Sequence, residues 1–187
     1  MNGMQRGSNA ALTQEIRGLT GVVLGVSYDA GPEKLLHDNL VVATILCDDD
    51  HRALSDKHFV FFNQLTTPEL SVTQLEQALG SDTEQVEVDL ASVPSAVSRI
   101  SVVVYLNEGA VANRTLGRLK HCAIRVLNLA DNSVLARSEN LAPALSTETA
   151  LVLGELYRHG SEWKFKVIGQ GYSTGIAGIA ADYGLHL

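Results

Sequence analysis

Hydrophobic positions in this chain recur in short runs separated by Gly, Pro, Asn and Asp, a spacing that predicts strands rather than long helices. Ala10–Leu12 follows a turn at Arg6-Gly7-Ser8-Asn9, and Leu19–Ser27 and Leu40–Cys47 are Val-rich runs flanking a loop at Ala30–Asp38. Phe59–Phe62 and Val72–Leu75 add two shorter strands. Gln85–Leu90 sets Val86, Val88 and Leu90 against Gln85, Glu87 and Asp89, the alternation of a strand with one face in water. Ile100–Leu106 is nearly continuous and suits a sheet centre. Ile124–Leu129 and Ser133–Ser138 bracket a hairpin turn at Ala130-Asp131-Asn132. One helical turn is expected within Val93–Ser98, and Leu116–Ala123 reads as loop or a short helical turn.

The last fifth of the chain holds the only Trp. Two strands, Ala150–Tyr157 and Trp163–Ile168, are separated by the turn Arg158-His159-Gly160-Ser161. The bend Gly169-Gln170-Gly171-Tyr172 then leads into a small-residue helix from Gly175 to Tyr183. In the second strand and its neighbour, Glu155, Arg158, Glu162, Lys164 and Lys166 are expected to face outward over Leu156, Tyr157, Trp163, Phe165 and Val167. About ten strands with frequent turn signals predict an all-β fold, a two-sheet β-sandwich with a short C-terminal helix.

With 187 residues the chain forms one core, so a single domain over 1–187 is expected, residues 1–5 being frayed. Fourteen Lys and Arg against twenty-one Asp and Glu leave a net charge of −7, which argues against nucleic acid and anionic membranes as partners and favours cations. No apolar run has the length of a membrane span and the N-terminus lacks a signal pattern, so a cytoplasmic location is expected. Cys47 and Cys122 lie far apart in apolar settings and read as inert core thiols. The histidines lack metal-ligand spacing.

No motif for a catalytic nucleophile, a phosphate loop or a zinc protease is present. Gly169-x-Gly171 lacks the third glycine of a dinucleotide fingerprint. The remaining candidate chemistry is acidic. Asp29, Asp38-Asn39, Asp48-Asp49-Asp50, Asp56, Asp82 and Glu84 fall in loops at strand ends, where hard cations find the six to eight oxygens they take. The spacing does not match an EF-hand, and Asp at a strand end is also a common turn former.

The segment GELYRHGSEWKFKVIGQGY closely resembles the C-terminal signature of the TerD family of tellurium-resistance and stress-response proteins. The resemblance extends upstream. Gly7-Ser8-Asn9 with Leu12 is similar to the family's opening strand, Val22–Asp29 to its VxVGLGWD, and Ser55–Gln64 to its SDxDFVFYNQ. Val88-Asp89-Leu90 with Val93-Pro94 is similar to VDLxxVP, and Leu116–Leu119 with Ile124–Asn128 to FGQVxxAxIRVVN. Coverage runs from about Met4 to the C-terminus.

The resemblance implies a calcium-binding β-sandwich that serves non-enzymatically in stress response, acting with other TerD-family or Ter proteins and only indirectly with the membrane. It implies metal ligands at Asp29, Asp38, Asn39, Asp56, Asp82 and Glu84. The pattern is depleted, however. The family's Asp-Leu-Asp triplet aligns with Asn39-Leu40-Val41, the second acid of SDxD is His58, and Leu79–Glu84 keeps two acids where the family has four. Each lost carboxylate removes a charged oxygen, so a weakened or absent calcium site is expected. The alternatives are a calcium-independent structural paralogue acting as an interaction scaffold, and a small-molecule-binding or hydrolytic module.

Overall fold

The computed structural model describes residues 3–107 and 113–187. Eleven strands form two antiparallel sheets packed face to face. They are β1 (Asn9–Ala11), β2 (Gly21–Asp29), β3 (Leu40–Cys47), β4 (Phe59–Val60), β5 (Val72–Gln74), β6 (Glu84–Asp89), β7 (Arg99–Leu106), β8 (His121–Asn128), β9 (Val134–Arg137), β10 (Ala150–His159) and β11 (Glu162–Tyr172). One sheet has the order β1-β11-β10-β7-β3-β4 and the other β5-β6-β2-β8-β9. The all-β sandwich expected from the turn spacing is the observed fold.

Period-two alternation decides which side chains meet between the sheets. Val22, Leu24, Val26 and Tyr28 of β2 face Val42 and Leu46 of β3 and Val102 and Val104 of β7 within one buried cluster. The opposite faces of β3 and β7 are also buried. Val41, Ala43, Ile45, Val103 and Tyr105 pack with Ile179, Ala180 and Tyr183 of the C-terminal helix α2 (Gly175–Tyr183). Burial on both faces explains why β3 and β7 read as nearly continuous apolar runs, and it places β7 between β10 and β3 inside its sheet.

Several sequence expectations are corrected. The loop at Ala30–Asp38 contains a short helix, α1 (Lys34–Asp38), and the His37 ring on it lies 5.3 Å from the Tyr28 ring at a tilt of 52°. The bend at Gly169–Tyr172 is not a strand end. β11 runs through it, with Gln170 opposite Val152 and Tyr172 opposite Ala150. Between Val152 and Gly154 one residue of β10 faces two of β11, and Gly169 at φ +68° supplies the backbone conformation for this bulge. Met4, expected to be frayed, donates its N–H to the Arg137 carbonyl and accepts from Glu139 N, while residues 1–2 lie outside the described residues. Within Val93–Ser98 the expected single turn is present, closed by Val97 N donating to the Pro94 carbonyl at 2.9 Å, and a 3-10 turn that was not expected precedes it at Leu90–Ser92.

The outward placement of charges on the last hairpin holds only in part. Leu156, Trp163, Phe165 and Val167 are buried as expected, but so is Glu155, whose carboxylate accepts a 2.7 Å hydrogen bond from Arg99. Arg158 lays its guanidinium over the Trp163 ring at 4.4 Å and donates to the carbonyls of Val93, Pro94 and Val97. Among the described residues no helix is long and apolar enough to cross a membrane.

Candidate functional site

The six acidic and amide positions are divided between the two ends of the sandwich. β2 ends at Asp29, α1 ends at Asp38 and leads through Asn39 into β3, and β6 begins at Glu84, opposite Val26. These residues share one end with Asp82. Asp56 follows β3, whose eight residues carry the chain about 26 Å to the opposite end. There Asp56 accepts hydrogen bonds from His186 N at 2.9 Å and pairs with the His186 ring at 3.2 Å. The His186 N–H and ring, working against some desolvation, hold the Asp56 carboxyl below the usual range.

At the shared end Asp29, Asp38 and Asp82 each already have a partner. Asp29 Oδ1 accepts from Gly31 N at 2.7 Å, and Asp38 contacts the His37 ring at 3.3 Å. Asn39 turns its Nδ2 onto the Leu35 carbonyl. Burial pushes the Glu84 carboxyl up, and burial, with the Glu84 carboxylate, Cys122 and Asp38 adding to it, raises the Tyr28 phenol. Asp82 is the most committed residue. Its side chain is 3% exposed, it accepts from Arg125 Nε at 2.8 Å and Nη2 at 3.0 Å, and it accepts from Gln85 Nε2 at 2.8 Å. Gly25 makes this approach possible, because a Cβ there would stand 2.2 Å from Asp82 Oδ2.

For the calcium ion that the family resemblance implies, these residues do not fit as placed. One ligand candidate is at the far end and one is occupied by a guanidinium. Among the described residues no group of three or more His, Cys, Asp or Glu side chains is arranged to hold a metal ion. The position of the family's second SDxD acid, His58, is buried, and its ring bridges Ser55 Oγ at 2.6 Å and Glu69 Oε2 at 3.0 Å.

What the structure does assemble at this end is a polar cavity of about 680 Å³ on the outer face of the β5-β6-β2-β8-β9 sheet. Ser27 and Ala123 form its floor, and Asp82, Arg125, Arg137 and Glu139 are among its walls. Arg125 and Arg137 are partners across β8 and β9, so both side chains emerge on one face. Asp29 and His121 are partners across β2 and β8, and His121 Nε2 lies 3.1 Å from Ser27 Oγ. Sequence reasoning missed Arg125, Arg137, His121 and Glu139. The available signal was the alternation of His121, Ala123 and Arg125 with the buried Cys122, Ile124 and Val126, visible only once β8 is started at His121.

Comparison with known proteins gives this architecture a lineage. The family model described as the TerD domain matches residues 1–183. The chain is 36% identical to General stress protein 16U of Bacillus subtilis (strain 168), the match covering 98% of this chain and 97% of that protein. It is 32% identical to Tellurium resistance protein TerD of Serratia marcescens, with 98% and 97% covered. A crystal structure of a homologue of telluride resistance protein (TerD) from Streptomyces coelicolor A3(2) shares the fold, with a TM-score of 0.65 at 18% identity over 87% of this chain and 96% of the other. The chain belongs to the TerD family.

Proposed function

We infer that this protein serves in a stress response of the tellurium-resistance type, acting through partner contacts without catalysis and without calcium. Its relatives are named as resistance and general stress proteins, which supports the first part. The observation that carries the second is the fork between Arg125 and Asp82. A guanidinium already neutralises the most buried carboxylate of the acidic end, so a divalent ion entering there has to displace Arg125 before it gains that ligand. Asn39, Val41 and His58 reduce the charged oxygens further, and other Ter proteins are the partners this reading expects.

Calorimetric titration of chelator-stripped protein with calcium tests this. The expected result is no saturable heat and no shift in Tm into the millimolar range, together with co-purification of a TerD-family partner that survives chelator. Saturable calcium binding that raises the Tm overturns it.

A further inference from the structure

Away from the acidic end, the outer face of the β5-β6-β2-β8-β9 sheet carries a second cavity, of about 330 Å³, at the small end of ligand-binding cavities. Its floor is apolar, made by Val23 of β2 and Leu127 of β8, which are directly paired and both buried. Leu75, Leu79 and Leu129 wall it, and Leu79 and Leu129 remain 69% and 39% exposed at the rim. The backbone under these walls is anchored. The buried Gln85 side chain accepts from Leu79 N and donates to the Leu79 carbonyl, each at 3.0 Å, and its main-chain carbonyl accepts from Leu75 N at 2.9 Å. Leu129 N donates to the Gly21 carbonyl at 3.1 Å, and a Cβ at Gly21 would stand 2.8 Å from Leu129 Cδ2, so the glycine gives that side chain its place.

One charge is left over in this apolar setting. Glu87 lines the cavity from β6, directly opposite Val23, and among the described residues it has no hydrogen-bond or ion-pair partner. Arg125 borders the same cavity but stands on β8, two residues along and two strand spacings, about 10 Å, across β2 from Glu87. Its guanidinium is taken by Asp82.

We propose that this cavity binds a small aliphatic amine, its chain on Val23 and Leu127 between the leucines and its ammonium on Glu87. An apolar anion would meet the Glu87 carboxylate as a like charge. A neutral chain would strip water from that carboxylate without replacing it. A chain with a cationic head satisfies the apolar walls and the carboxylate together, and the net charge of −7 draws cations toward the protein. Glu87 is not one of the acidic-end residues, so the site stands whether or not calcium binds there.

The experiment is isothermal titration calorimetry of the full chain with ethyl-, butyl- and hexylammonium, and with hexanol and hexanoate as neutral and anionic probes. Saturable heat from hexylammonium is expected, with affinity rising about fourfold for each added methylene. Glu87→Gln weakens hexylammonium by about tenfold and leaves hexanol unchanged. Leu79→Ser, at an exposed side chain, lowers affinity for hexylammonium more than for ethylammonium. No saturable heat from hexylammonium, affinity independent of chain length, unchanged binding in Glu87→Gln, or equal binding of hexanoate each overturns the proposal. So does a dimer in sedimentation that Leu79→Ser dissociates, which gives the cavity to a second copy of the chain.

Discussion

Replacing Arg125 by Leu tests the central interaction of the acidic end. Asp82 has a side-chain exposure of 3% and Arg125 one of 27%, and two N–H groups of the guanidinium reach the two carboxylate oxygens. Breaking a fully buried pair by removing one partner costs about 3–5 kcal/mol, because the surviving charge stays buried without compensation. Here the pair borders an open cavity, water reaches part of it, and Gln85 Nε2 continues to donate to Asp82. The expected loss is therefore smaller, about 2–3 kcal/mol, which for a domain of this size lowers the Tm by about 4–12 °C.

Urea denaturation of the wild type, Arg125→Leu, Asp82→Asn and the double variant closes the thermodynamic cycle. The double variant leaves no buried charge, so it should be more stable than the sum of the single losses implies, with a coupling of at least about 1 kcal/mol. A loss below about 0.5 kcal/mol in Arg125→Leu, the value of an exposed ion pair, or strict additivity in the double variant refutes the reasoning.

Two further outcomes follow from the surroundings of single groups. Burial pushes the thiols of Cys47 and Cys122 up to about 12, so neither reacts with a thiol reagent in the native protein near pH 8, while both react after denaturation; native-state labelling of either one contradicts this. The Asp56 carboxyl is held below its usual value chiefly by His186 N–H, so its contribution to docking the C-terminal residues is complete above the ordinary carboxylate pKa and is lost as pH falls through the lowered one. The protection factor of the His186 amide should fall as pH drops through the lowered Asp56 value in the wild type and lose that transition in Asp56→Asn; identical pH profiles would exclude the contact.

The sandwich was legible because its evidence is local. β3 was bounded correctly as Leu40–Cys47 and α2 as Gly175–Tyr183, each from apolar runs cut by Asn, Asp or Gly. The candidate site was less legible, for two different reasons. One is topological. Asp38 and Asn39 precede β3 and Asp56 follows it, so a single eight-residue strand places them at opposite ends of the sandwich, whatever their nearness in sequence. Counting that one traversal separates Asp56 from Asp29, Asp38 and Asn39 without any structure, whereas the same count across β4 and β5 returns Asp82 and Glu84 to the Asp56 end, because the two-residue β4 does not cross the sheet. The second reason is pairing at a distance. Asp82 and Arg125 are 43 residues apart and meet because β2 lies between β6 and β8, with Gly25 leaving room for a carboxylate across the central strand. Nothing in the spacing of acids announces that one of them is already matched by a cation from another strand. A depleted ligand pattern was therefore readable as missing carboxylates, whereas the commitment of a retained carboxylate to Arg125 needed the sheet register to become visible.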